Sequence, residues 1–240
     1  MLRRFCLVLL LLMPVLAAPP ARAAEPVVMG MGEFPPYVYY GDGPPTGLAV
    51  ALANRVFPEA GFSLVLRQMP FARAIQETIT GGIDGVLMAS HTPDREGTIA
   101  FSAVAFCEYR HLYVRRGDEF DWRQTIANKT IGVGQGLNYG PMVHSWINAR
   151  LITPVALTNV AQLLEVLARG RFDAALISRS EAELLMAARP DLAQAVLRLE
   201  PHITVSPLRF GFSRAQDGAS RALRVTQILQ KHGLVARCTE

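Results

Sequence analysis

Short apolar runs alternate along this chain with stretches whose apolar residues recur near every fourth position, and that alternation predicts an α/β protein. Residues 27–31, 62–66 and 86–88 read as strands. Between the first two, Leu48, Leu52 and Val56 share one helical face, and Pro58 is expected to stop that helix. Between the second and third, Phe71, Ile75 and Ile79 do the same from Pro70 until Gly81 and Gly82 end the run. A βαβαβ order with right-handed crossovers predicts a parallel sheet covered by helices.

The pattern restarts after a polar patch at 115–121. A strand at 130–133 leads through Gly134, Gln135 and Gly136 into a helix ending near residue 149, and 151–155 reads as a short strand. Val160, Leu163, Leu164 and Leu167 mark an amphipathic helix closed by Gly170. A strand at 172–177 follows, then Ser180 as the expected cap of a helix over 181–188, then a last strand at 195–199. Residues 201–212 leave this second unit, and a helix over 219–231 presents Ala222, Val225 and Leu229. A lone terminal helix has no core of its own. Its simplest partner is the first unit, which makes that unit discontinuous and requires two crossing strands with a cleft between the halves.

Composition changes the picture at the ends of the chain. Arg3 and Arg4 precede an apolar run from residue 5 to 18, and Ala21, Arg22 and Ala23 supply a small-x-small cleavage pattern. Residues 1–23 are therefore expected to be a secretory signal peptide, with the mature protein exported to the periplasm. The whole chain has 24 basic and 20 acidic side chains; the leader holds three of the arginines and no acid, leaving a mature net charge of +1. That balance gives no basic face for nucleic acid. Beyond the leader no run of eighteen apolar residues occurs. Cys107 and Cys238 remain in an oxidising compartment, where they either pair or stay as one buried and one loose thiol.

Candidate chemistry clusters after the predicted strands, where ligands bind in open α/β sheets. Ser90 and Arg95 follow the third strand: a neutral donor, then a five-donor fork suited to a carboxylate or phosphate. Arg95 could equally pair with Asp94 or Glu96 on the surface. Glu33, Phe34, Tyr37, Tyr39 and Tyr40 follow the first strand, either walling a ligand or packing into the first unit. Arg73 sits in a first helical turn, where the helix dipole disfavours it, so a carboxylate partner or a ligand would explain it, and it could equally be a surface charge. Ser178 follows the strand at 172–177 and is left for the ligand if Ser180 is the cap. The glycines at 134 and 136 match neither a Walker loop nor a dinucleotide fingerprint. The five histidines show no metal-ligand spacing, and no serine lies in a nucleophile elbow. Glu33 and His91 form the least implausible proton-transfer pair. Neither a metal nor another cofactor is expected.

Six short stretches in order carry a resemblance: Glu33-Phe34-Pro35-Pro36-Tyr37, Gly47-Leu48, Gly82-Ile83-Asp84-Gly85, Thr92-Pro93-Asp94-Arg95 with Ile99-Ala100-Phe101-Ser102, Gly132-Val133-Gly134-Gln135-Gly136, and Gly170-Arg171-Phe172-Asp173-Ala174. The mature chain resembles extracellular solute-binding protein family 3, the periplasmic receptors of polar amino-acid ABC importers. The resemblance implies a two-lobe, periplasmic-binding-protein-like (type II) fold, each lobe a sheet flanked by helices, joined by a two-strand hinge. Lobe one would comprise residues 24–109 and 208–240, and lobe two residues 110–207. It also implies that Arg95 clamps a ligand carboxylate with help from Ser90, that Phe34 stacks on the ligand, and that Leu137 and Asn138 add contacts. Two departures stand out. Ser178 occupies the place of the aspartate that usually meets the ligand ammonium, and a neutral hydroxyl cannot make that charge-assisted bond. Ala49 and Val50 stand where the family usually has an acid. Glu33 and Arg73 look more like an offshoot often encoded without a transporter. The expected function is thus a monomeric, non-enzymatic receptor of a small polar solute, serving an ABC permease. The alternatives are a module reporting to a membrane sensor, or a periplasmic dehydratase or lyase on the same scaffold.

Overall fold

The computed structural model describes residues 24–135 and 139–239. The expected leader, Leu137 and Asn138 lie outside the described residues. The first half runs β1 (Glu25–Met31), α1 (Leu48–Glu59), β2 (Phe62–Gln68), α2 (Phe71–Thr80), β3 (Gly85–Ser90), α3 (Pro93–Glu96) and β4 (Ile99–Phe101). A ten-residue strand, β5 (Phe106–Arg115), then crosses over. The second half runs α4 (Trp122–Thr125), β6 (Lys129–Gly134), α5 (Gly140–Asn148), β7 (Ile152–Leu157), α6 (Val160–Ala168), β8 (Ala174–Ser178), α7 (Arg179–Ala188), α8 (Pro190–Ala195) and β9 (Val196–Arg198). A second long strand, β10 (Thr204–Ser213), returns, and α9 (Gly218–Lys231) closes the fold.

The strands form one path, β2-β1-β3-β10-β5-β8-β6-β7, with β4 on β10 and β9 on β5. At one end β1 is parallel to β2 and β3; at the other β6 is parallel to β7 and β8. The centre is not parallel. β5 and β10 run antiparallel to each other, from Leu208 opposite Phe106 to Thr204 opposite Arg110, and antiparallel to β3 and β8. The expectation of parallel sheets therefore holds within each half and fails at the crossing, because β10 re-enters the first half against the direction of β3.

The buried cores divide at the same two strands. Met29, Val56, Phe57, Phe62, Leu87, Phe210, Phe212, Val225 and Leu229 pack together, so α9 does cover the first half. On the other face of that sheet, Met69, Ala74, Ile83, Val86 and Ala89 pack with α2. In the second half, Leu112, Ile131, Val143 and Leu176 fill one face of the sheet, and Tyr113, Leu163, Leu164, Leu167 and Ile177 fill the other. Two local expectations need correcting. Pro58 lies inside the last turn of α1, where its missing N–H costs a single bond. The strand expected over 195–199 shortens to β9 because Pro190 starts α8.

Two cross-links tie the C-terminal segment down. Cys107 on β5 and Cys238 form a disulfide, with Cα atoms 5.4 Å apart. Arg221 on α9 donates to Asp84 at 2.7 Å and to Glu25 at 2.9 Å, while Asp84 also accepts from the Val28 N–H at 2.8 Å. The Arg221 and Asp84 side chains are only 12% and 14% exposed. Removing one partner of a buried ion pair leaves the other desolvated and unpaired. Arg221→Ala is expected to cost about 3 kcal/mol in urea unfolding; a loss below about 1 kcal/mol, the range of an exposed pair, would show that this link is dispensable.

Candidate functional site

β1 and β3 are parallel neighbours, so the loops after Met31 and after Ser90 emerge side by side at the carboxyl edge of the first sheet. The first loop is a tight turn. The Phe34 carbonyl accepts from the N–H groups of Tyr37 and Val38 at 2.8 and 2.9 Å. Gly47, at φ +118°, lets the loop close onto α1: a Cβ there would stand 2.3 Å from the Tyr37 carbonyl oxygen. Phe34 is half-buried against the first core, its ring centroid 5.1 Å from that of Tyr37, which in turn lies 5.1 Å from Phe106. Glu33 is exposed.

The second loop carries Arg95 in the short helix α3. Its side chain is 18% exposed, and Nη1 donates to the Ser90 carbonyl at 3.1 Å. The guanidinium lies over Phe71, 5.7 Å from the ring centroid. Asp94 is no real competitor: its carboxylate is 3.8 Å from Nε and its side chain 74% exposed. The Arg95 Nε is buried without a hydrogen-bond partner. A guanidinium this desolvated with a donor left over is ready for an anion. Phe71 also helps line a cavity of about 650 Å³ with Gly32, Glu33, Tyr40, Gln68 and Met69. The fold thus brings Glu33 and Arg95 to Phe71, with Arg95 held by the Ser90 carbonyl, and Phe34 sits on the adjoining loop.

Arg73 is not brought there. Its side chain is 69% exposed, and its Nε pairs with Glu77 at 2.6 Å one turn along α2. A carboxylate on its own helix accounts for its place in a first turn. His91 lines a different groove, edge-on to Phe101, so Glu33 and His91 share no cavity.

Ser178 corrects the expectation about the second half. It, and not Ser180, is the N-cap of α7, because that helix begins at Arg179, two residues earlier than expected. The Ser178 hydroxyl donates to Glu108 at 2.7 Å, and Ser180 donates to the other Glu108 oxygen at 2.6 Å. Glu108, on β5, is 1% exposed and was not singled out from the sequence. The signal was there: an acid two residues before Arg110, in a crossing strand. Tyr37 from the first half lies near Glu108, and burial together with that negative neighbour holds its phenol far above the ordinary range. One carboxylate therefore joins the loop after β1, the crossing strand and the start of α7.

Glu181 completes this node. Burial, then the nearby Glu108 charge, push its carboxyl up to about 7, against the pull of Arg110 and a hydrogen bond with Ser178. The folded protein therefore binds a proton that the unfolded chain, with a carboxyl near 4.5, releases earlier. This contribution is complete below about pH 4.5 and is lost as pH rises toward 7, a swing of about 3 kcal/mol. Glu181→Gln is expected to be the more stable protein at pH 8 and to show no such loss. Urea midpoints of both proteins at pH 5 and pH 8 measure it; parallel curves would refute it.

Among the described residues no group of histidine, cysteine or acidic side chains could hold a metal, and no helix is long and apolar enough to cross a membrane. A family model for bacterial extracellular solute-binding proteins, family 3, matches residues 27–196. The chain belongs to that family.

Solved structures agree on the architecture of this family 3 protein. An arginine-bound form of truncated ArgBP from T. maritima is 21% identical, covering 87% of this chain and 96% of that one at a TM-score of 0.67. An ancestral arginine-binding protein bound to arginine is 19% identical, covering 89% and 96% at a TM-score of 0.72. A histidine kinase sensor domain with similarity to periplasmic binding proteins is 18% identical, covering 88% and 92% at a TM-score of 0.70. At these identities the likeness shows the fold. None of the curated proteins compared with the chain matches it.

Proposed function

We propose that this family 3 protein is a periplasmic receptor that captures a small, polar, carboxylate-bearing solute and delivers it to an ABC permease. The observation that carries the proposal is Arg95, desolvated over Phe71, tethered by the Ser90 carbonyl and with no hydrogen bond at Nε, at the rim of the first sheet. Such a fork takes a carboxylate through parallel N–H···O bonds. The bound solute extends into the cavity beside Phe71, with Glu33 at its mouth and Phe34 on the adjoining loop. Residues 24–109 with 208–240, and residues 110–207, act as the two lobes, and β5 and β10 are the hinge about which they close on the ligand.

The ligand's second anchor departs from an α-amino acid site. Ser178 is committed to capping α7 and to Glu108, so no free carboxylate takes the expected place of an ammonium partner. Solutes lacking an α-ammonium group are accordingly within its range. Likeness to a kinase sensor domain favours a second reading, in which the same closure reports to a membrane sensor. No catalytic step is proposed, since the nearest acid–base pair is split between two pockets.

The test is a melting-temperature screen of ligand-free protein against amino acids, polyamines, dicarboxylates and aromatic acids, followed by calorimetry on each hit. A saturable shift with a carboxylate, and none with polyamines, is expected. No response to any carboxylate would remove the proposal. Slow consumption of the hit would make the protein an enzyme.

A further inference from the structure

Side chains along β10 alternate in direction. Leu208, Phe210 and Phe212 enter the first core, so Arg209 and Gly211 face the opposite side of the sheet, where Gly211 abuts Val86 and Phe101. On that side α2 packs mainly over β1 and β3 and meets β10 over a smaller stretch, and the rest of the β10 and β4 surface borders an opening. The opening is a groove of about 380 Å³ lined by His91, Glu96, Ile99, Phe101, Arg209 and Arg214. It shares no residue with the cavity beside Phe71.

The groove carries two guanidiniums against the single carboxylate of Glu96. Arg209 is half-buried, and among the described residues its one acceptor is the Ser102 carbonyl, 3.0 Å from Nη1. Burial alone lowers its affinity for the proton, with no carboxylate opposing it. Neither Arg209 nor Arg214 forms an ion pair among the described residues. Desolvating a guanidinium on a sheet face is costly unless an anion repays it. Arg214 and His91 are exposed at the rim, and the His91 ring is set edge-on to Phe101 at 5.4 Å between centroids. An imidazole offers an N–H donor whether neutral or charged.

We infer that this groove is a second anion site, separate from the Arg95 cleft, for a small tetrahedral oxyanion of the phosphate type. A carboxylate fills one fork; two guanidiniums and an imidazole around one groove suit a group with more oxygens. Glu96 sharpens the choice. It repels a bare oxyanion, but accepts a hydrogen bond from the protonated oxygen of a phosphate, which sulfate lacks. The site does not depend on what the cleft binds.

The experiment is calorimetric titration of the disulfide-bonded protein with inorganic phosphate, glycerol phosphate and sulfate, at fixed ionic strength and near pH 5.5, where both phosphates are mainly in forms that keep an acidic proton and sulfate has none. Saturable binding of either phosphate is expected, about tenfold or more tighter than sulfate. Arg209→Gln should weaken it about tenfold or more. Arg214→Gln, an exposed change that leaves the sheet untouched, should weaken it as well, and Glu96→Gln should erase the preference over sulfate. Arg95→Ala should leave phosphate binding as it was. Absence of saturation, equal affinity in both arginine variants, or loss in Arg95→Ala, which would place the anion in the cleft, each overturns the inference.

Discussion

Arg95→Ala is expected to abolish measurable capture of the carboxylate that best stabilises the wild-type protein, with a loss of about 2–5 kcal/mol, or roughly 30- to 4,000-fold in Kd. The magnitude follows from burial. At 18% exposure the guanidinium is far from the screened surface regime in which a charge pair is worth little. Arg95→Lys separates charge from geometry, because a lysine retains the charge but not the planar fork; it should recover only part of the affinity. Melting of both ligand-free variants should match wild type closely, since the side chain's protein contacts are a single carbonyl, one ring face and a distant, exposed Asp94 carboxylate. Unchanged affinity in Arg95→Ala would remove the anion-clamp role and with it the proposed function.

The second large effect is on stability. Cys107 and Cys238 are 131 residues apart, so their cross-link restricts most of the unfolded chain. Loop-closure entropy at that length sets a ceiling of about 5 kcal/mol. A Cys107→Ser/Cys238→Ser protein is expected to lose about 4 kcal/mol and melt roughly 10 °C lower, with reductant reproducing the loss in wild type. Scanning calorimetry with and without reductant measures both. A shift of less than about 2 °C would mean that α9 and the Arg221 network hold the terminal segment without the bond.

The Glu108 node shows why half of the site was hidden. Its parts lie at positions 37, 108, 178, 180 and 181, on a loop, a crossing strand and a helix start, and no sequence window contains more than three of them. Ser178 illustrates the limit. Its place after a strand was legible, but whether it or Ser180 capped the helix depended on where β8 ended, and that was set by pairing with β5. Arg73 was misleading for the opposite reason. Its helical position was read correctly, and the carboxylate that accounts for it lay four residues ahead at Glu77.

By itself the sequence determined the order of the main strands and helices, the alternation of two α/β units, the return of the last helix to the first core and the placing of Ser90 at the end of a strand with Arg95 beyond it. These follow from hydrophobic period, glycine and proline, which act over a few residues. Only the tertiary structure decided that the sheet is antiparallel at its centre, that Glu108 gathers both halves, that Arg95 is desolvated over Phe71, and that Arg209 floors an open groove. Each of those depends on which distant segments share a face and which exclude water, and burial of a charge is a property of that packing and not of its neighbours along the chain.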